Sequence, residues 1–131
     1  MVRNIQKKWC LIRSDSNNLI GTGHIMRCLA LANALTKDGI SCIFVARKIT
    51  DSLCHLIIKQ NHMLIILPDE NLPLPTTDQQ EYGNWLGTTE IDDAKSVLKA
   101  IKETVQLRGP PALIIYDHYA LGSIWGNVIG E

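Results

Sequence analysis

The chain has 131 residues, with 13 basic and 13 acidic side chains and a formal net charge of zero. This length is enough for one domain with a real core. The balanced charge and the lack of a basic block argue against nucleic acid or an anionic membrane as a partner. No apolar run is long enough to span a bilayer, and the apolar stretch after Lys7 and Lys8 is too short for a signal peptide.

The four cysteines, at positions 10, 28, 42 and 54, form no Cys-x-x-Cys pair. Zinc-ligand spacing is therefore missing, and a disulfide framework is not expected. We predict reduced, mostly buried thiols in a cytoplasmic protein.

The first half of the chain alternates strands and helices. Residues 9–13 are predicted as a strand, followed by a polar turn segment. Apolar residues at 25, 28, 29, 32 and 35 predict a helix from about His24 to Lys37. The apolar run over 41–46 is typical of a strand buried on both faces. A shorter helix over 51–60 and a third strand over 63–67 follow.

The second half opens with a long loop over 68–88, which holds three prolines and has little periodicity. Loops of this length are usually functional or mobile. Thr89 and Asp92 fit a helix-capping pattern, and the predicted helix runs to about Leu107. A fourth strand over 112–116 follows, and two glycines interrupt the tail, so that the chain is expected to stop inside an element.

Strands that alternate with helices four times predict an α/β protein with a Rossmann-like, doubly wound parallel sheet. Ligands of such sheets bind in the crevice at the carboxyl ends of the strands. Residues that follow strands are therefore the candidates for chemistry.

The loop Gly21-Thr22-Gly23-His24 lies between the first strand and the first helix. Glycines let the backbone approach a ligand, and the amides at a helix start favour phosphate. His24 is either a general base or a helix-capping or core-edge residue. Arg27, one turn later, either holds a phosphate or is a solvated helix residue.

Further candidates follow the first and fourth strands. Arg13 and Asp15 point toward the same rim, either to bind or as a simple ion pair. Asp117, His118 and Tyr119 follow the fourth strand and could lie near His24, although a structural turn would also explain them. His55 and His62 are interpreted as surface or packing residues.

The sequence contains no complete motif of the P-loop ATPases or of the dinucleotide-binding proteins. The Gly-x-x-x-x-Gly-Lys-Ser/Thr motif is absent, so a P-loop ATPase is excluded. The third glycine of Gly-x-Gly-x-x-Gly is also missing, so a dinucleotide site is weakly supported. We expect no cofactor and no metal.

Taken together, three sets of motifs occur in one order along nearly the whole chain. They are Ile-Arg-Ser-Asp over 12–15 with the run over 20–32, Trp-Leu-Gly over 85–87 with Asp-Asp-Ala over 92–94, and Tyr-Asp-His-Tyr-Ala-Leu over 116–121. This pattern resembles the UDP-sugar hydrolases of pseudaminic acid biosynthesis.

The resemblance implies the N-terminal domain of a GT-B-like fold and a metal-independent, inverting hydrolysis. Water would attack the anomeric carbon of UDP-2,4-diacetamido-2,4,6-trideoxy-β-L-altropyranose and release UDP. The resemblance assigns the base to His24 and places Tyr119 in the active site. The residues expected to contact the substrate are Arg13, Asp15, Gly21, Thr22, Gly23, Arg27, Asp117 and His118.

Three departures qualify the resemblance. Ala120 stands where the family has glycine, and Gly126 stands where an acidic residue is common. Family members also have a second domain that carries most of the nucleotide-binding surface. This chain therefore resembles one truncated domain, and we expect it to be poorly active or inactive by itself. It would need a C-terminal domain or self-association. The alternatives are the acceptor-side domain of a GT-B glycosyltransferase and a silent binding module that needs a partner chain.

Overall fold

Four parallel strands form a single sheet in the order β3-β2-β1-β4. The computed structural model describes residues 8–16, 23–68, 88–118 and 121–130. The strands are β1 (Trp9–Ser14), β2 (Ser41–Ala46), β3 (Met63–Ile66) and β4 (Leu113–Asp117). The helices are α1 (Gly23–Lys37), α2 (Asp51–Lys59), α3 (Glu90–Ala100), α4 (Lys102–Arg108) and α5 (Ser123–Gly130). The predicted Rossmann-like α/β fold is confirmed.

The central strand β1 is buried on both faces because helices cover each side of the sheet. Trp9 and Leu11 join the core cluster that includes residues of α3 and α5. Cys10 and Ile12 point the other way and join the cluster that includes residues of α1 and α2. This alternation follows from the two-residue period of a strand. It also places the polar residues at the end of β1 on two different faces of the sheet.

The strand order reverses at β1, which pairs with β2 on one side and with β4 on the other. Ser14, at the end of β1, is in register with Asp117, at the end of β4. β4 begins and ends one residue later than predicted, so that Asp117 is the last residue of the strand. Because ligands of open α/β sheets bind where the strand order reverses, this edge is the natural place for a site.

The helix predicted from Thr89 to Leu107 forms two segments, which meet at Ile101. The backbone of Ile101 departs from helical geometry (φ −97°, ψ 5°), while its side chain is buried in the core. No glycine or proline lies nearby, so the break follows from packing rather than from helix propensity. The prediction of one continuous helix was therefore wrong.

The predicted cap of α3 is present: the Thr89 hydroxyl oxygen accepts a hydrogen bond from the Asp92 amide at 3.1 Å. Loss of such a cap typically costs about 0.5–2 kcal/mol. We expect Thr89→Ala to lower the free energy of unfolding by about 1 kcal/mol in urea denaturation. Thr50→Ala is the matched control, because Thr50 precedes α2 without a side-chain cap bond. Equal losses in the two variants would contradict the assignment.

The tail glycines do not prevent a helix, since α5 contains both Gly126 and Gly130. The Glu90 carboxylate accepts hydrogen bonds from the amides of Gly122 and Trp125 at the start of α5. A Cβ atom at Gly126 would lie only 3.2 Å from the Tyr116 hydroxyl oxygen. Glycine at this position therefore lets α5 approach β4 closely, and an acidic residue would crowd Tyr116.

The thiols are mostly buried, as predicted. All four cysteines are free, and only Cys54 is partly exposed. Within the described ranges, no helix is both long enough and apolar enough to cross a membrane.

Candidate functional site

His24 and Asp117 meet at the carboxyl edge of the sheet. His24 is the second residue of α1, and its Nδ1 atom lies 2.5 Å from Oδ1 of Asp117. The two residues are 93 positions apart in the chain. The parallel topology brings them together, because it directs the start of α1 and the end of β4 to the same crevice. Of the three residues after the predicted fourth strand that could lie near His24, Asp117 does so at this distance.

Arg27 shares the Asp117 carboxylate with His24. Its Nη2 atom lies 3.0 Å from Asp117 Oδ2, and its Nε atom donates to the same oxygen at 3.1 Å. Arg27 Nη2 also lies 2.9 Å from His24 Nδ1. A guanidinium only donates and a carboxylate only accepts. The hydrogen bond from His24 to Asp117 therefore requires a proton on Nδ1 of His24. Nδ1 then cannot also accept from Arg27, so that both groups donate to the same carboxylate.

This group of three side chains is open to solvent on one side. The side chain of Arg27 is 63% exposed and that of Asp117 is 28% exposed, whereas His24 is nearly buried. A ligand that enters the crevice can therefore contact Arg27 directly, whereas the ring of His24 is largely covered. Gly23 is the first residue of α1.

Cys28 is buried in α1, on the turn that follows His24, but it is not suited to nucleophilic chemistry. Burial raises the pKa of its thiol to about 11, and the negative charge of Asp117 adds to the effect. The thiolate is the reactive form, and it is scarce at neutral pH for such a group. Cys28 therefore contributes packing beneath the site.

A second set of charges lies on the opposite face of the sheet. Arg13 is fully buried and donates to Asp93 from Nε at 2.9 Å and from Nη2 at 2.7 Å. Its Nη1 atom donates to Asp15 at 2.6 Å. Of the two interpretations of Arg13 and Asp15, the ion pair is therefore present. Neither residue presents exposed surface to a ligand in this structure.

Arg47 and Trp125 complete this buried network. Arg47 donates to Asp93 from Nη2 at 2.9 Å and to the Pro68 carbonyl oxygen. Trp125 donates from its indole nitrogen to Asp93 at 2.9 Å. The network thus joins the ends of β1 and β2, the residues after β3, and helices α3 and α5. Two guanidinium groups balance two carboxylates, as burial of charge requires.

The buried carboxylates are ionised because of their partners. Burial alone would raise the pKa of Asp15, but the Arg13 charge and a hydrogen bond from His118 outweigh it and hold this pKa well below its usual range. The pKa of Asp93 is also lowered, because hydrogen bonds and charge from Arg13 and the charge of Arg47 outweigh burial.

Sequence reasoning missed Arg47 and Asp93 as parts of this network. Two signals could have revealed them. Asp93 lies four residues before the buried Val97, so it shares the apolar face of α3. Arg47 directly follows the apolar strand β2. A charge at a buried position predicts an opposite charge nearby.

His118 lies on the buried side, away from the His24 group. Its Nε2 atom is 3.1 Å from Asp15 Oδ2, and its side chain is only 1% exposed. Gly21, Thr22 and Tyr119, together with the Trp-Leu-Gly motif over 85–87, lie outside the described residues, so their predicted roles stay predictions.

Among the residues that the structure describes, no group of three or more potential ligands could hold a metal ion. Comparison of the chain with family models, with curated proteins and with solved structures finds no match.

Proposed function

We propose that this chain carries the base-bearing half of a UDP-sugar hydrolase of the pseudaminic acid type. The contact between His24 and Asp117 is the observation that carries the proposal. It joins two of the three sets of motifs that resemble this family, and it does so at the edge of the sheet where ligands of such folds bind.

The chemistry needs one positioned base. Asp117 accepts a hydrogen bond from the Nδ1–H group of His24, and Nε2 of His24 takes a proton from water to give an imidazolium that the Asp117 charge stabilises. The water oxygen forms a bond to the anomeric carbon of UDP-2,4-diacetamido-2,4,6-trideoxy-β-L-altropyranose. The bond from that carbon to the phosphate oxygen breaks, and its electron pair leaves with UDP. Attack from the side opposite UDP inverts the anomeric centre.

Arg27 supports the proposal by its charge and exposure. Its guanidinium lies at the start of a 15-residue helix whose first turn contains no acidic residue. A helix start and an exposed arginine both favour an anion. We assign Arg27 to the leaving diphosphate, where its N–H groups would stabilise the charge that develops on UDP.

The remaining parts of the proposal concern location and partner. Free, buried thiols fit a reducing cytoplasm, where nucleotide sugars are used. The second wall of the cleft would come from a C-terminal nucleotide-binding domain.

The test is release of UDP from the diacetamido UDP-sugar, measured with no acceptor present. The purified chain is assayed alone and with the C-terminal domain of a pseudaminic acid-type hydrolase added. We expect little turnover alone and a clear gain with the added domain. His24→Ala is the variant expected to abolish the gain, and His55→Ala is its control. His55 is exposed on α2 and distant in sequence from the motifs that contain His24 and Asp117.

Other outcomes would favour the alternatives. UDP release that requires an added sugar acceptor would indicate a glycosyltransferase domain. A folded chain that binds the second domain without any turnover would indicate a binding module. Full turnover by the chain alone would contradict the need for a second wall.

A further inference from the structure

Asp117 and His118 are neighbours in the chain, but their side chains point to opposite faces of the sheet. Asp117 faces α1, where it holds His24. His118 faces the buried charge network, where it contacts Asp15. The peptide unit between them is therefore fixed from both faces.

A third contact fixes the same peptide unit. The Ser14 hydroxyl donates to the main-chain carbonyl oxygen of Asp117 at 3.2 Å. The next carbonyl, that of His118, accepts from the Leu121 amide at 3.1 Å. The end of β4 is thus held by Ser14 of β1 and by the amide of Leu121.

The direction of the bond between His118 and Asp15 follows from the surroundings of the carboxylate. Asp15 also accepts from Arg13 and from the main-chain amide of Arg47, at 2.6 and 2.7 Å. A carboxylate with these partners is ionised and can only accept. His118 therefore donates from Nε2, and the side chain is oriented by a fixed acceptor.

We infer that His118 is a positioning residue for the His24–Asp117 pair. Its bond to Asp15 fixes the backbone at the end of β4, and this in turn fixes the carboxylate that orients His24. The inference gives His118 a place in the proposed reaction without contact with the substrate. It rests on the proposed function for its significance, but its geometry can be tested without turnover.

The test uses NMR of the imidazole nitrogens in the whole chain labelled with ¹⁵N. In the unaltered protein we expect His24 to give a protonated Nδ1 and an unprotonated Nε2. His118→Leu removes the donor, and we expect both His24 resonances to move toward the average of mixed tautomers. His118→Gln places an amide nitrogen near the Nε2 position, and we expect the original pattern to return.

His62 provides the matched control. It is also a buried histidine, and its Nε2 atom bonds Asn33 at 2.8 Å, but it precedes β3 at the opposite edge of the sheet. The main charged or titratable groups around His24 and Asp117 are Arg27 and Cys28, and all variants retain them. We expect His62→Leu to leave the His24 resonances unchanged.

The outcomes separate this inference from the proposed function. Unchanged His24 resonances in His118→Leu would overturn the inference, whatever the activity. Equal shifts in the His62 control would overturn it too, since they would reflect general loss of stability. If His118→Leu does not fold, His118→Asn is used, because its shorter amide does not reach Asp15. Expected shifts without any UDP release would support the positioning role and contradict the hydrolase.

Discussion

Asp93→Asn is expected to lower the free energy of unfolding by about 3–5 kcal/mol, because it leaves buried arginines without their counter-charge. Asp93 accepts hydrogen bonds from Arg13, Arg47 and Trp125, and its side chain is fully buried. With two carboxylates opposite two guanidinium groups, removal of one carboxylate leaves a net positive charge in the core. Domains are stable by only about 5–15 kcal/mol, so this loss would be severe.

Equilibrium urea denaturation followed by circular dichroism measures this effect. Asp92→Asn is the matched control, since Asp92 is the exposed neighbour on the same helix. Loss of the Asp92 charge removes mainly its interaction with the helix dipole, which contributes about 0.3–1 kcal/mol to stability. A loss for Asp93→Asn no larger than that of the control would show that the buried charges do not depend on each other.

Acid provides a second measurement of the same carboxylate. The pKa of Asp93 is lower in the folded chain than its ordinary value of 3.8. Its stabilising contribution is therefore present above about pH 4 and is lost as pH falls through the folded pKa. The original chain should lose more stability than Asp93→Asn over this acidic range.

His24→Ala is expected to reduce UDP release by about 100- to 10,000-fold, since this is the usual contribution of a placed general base. The assay uses the chain together with the added C-terminal domain. The loss should fall on kcat rather than KM, because the base acts mainly in the transition state. Circular dichroism of the variant checks that the fold is retained.

Asp117→Asn is the companion variant. An asparagine can still contact Arg27, but it no longer offers a full negative charge to His24. We therefore expect a smaller loss of kcat than for His24→Ala, together with a folded chain by circular dichroism. Undiminished kcat in both variants would eliminate His24 as the base.

Much of the fold could be predicted from the sequence because local pattern and tertiary structure agree. The apolar run over 41–46 became β2 with the predicted bounds, and the helix predicted from His24 to Lys37 differs by one residue at its start. The break at Ile101 could not be predicted, because nothing in the local sequence disfavours a helix there. The break depends on how the side chain of Ile101 packs into the core.

The site was predicted in part. The rule that parallel strands end at one edge was enough to place Asp117 near His24. The partition of Asp117 and His118 onto opposite faces depends on the end of β4, which lies one residue beyond the predicted end. Arg47 and Asp93 were missed because charged residues were expected only where ligands bind, whereas these two lie in the buried network on the opposite face of the sheet.

The alternation at the end of β4 also bears on how the sheet assembles. Ile114 and Ile115 pack against different core clusters, so apolar contacts alone discriminate weakly between alignments of this edge strand. A shift by one residue would turn Asp117 toward the carboxylates of Asp15 and Asp93. The charges of that network are already balanced by Arg13 and Arg47, so a third carboxylate would be buried without a counter-charge, which penalises the misaligned sheet. The charged residues at the end of β4 therefore favour one register. The pairings that build the crevice also select the alignment in which β4 joins the sheet.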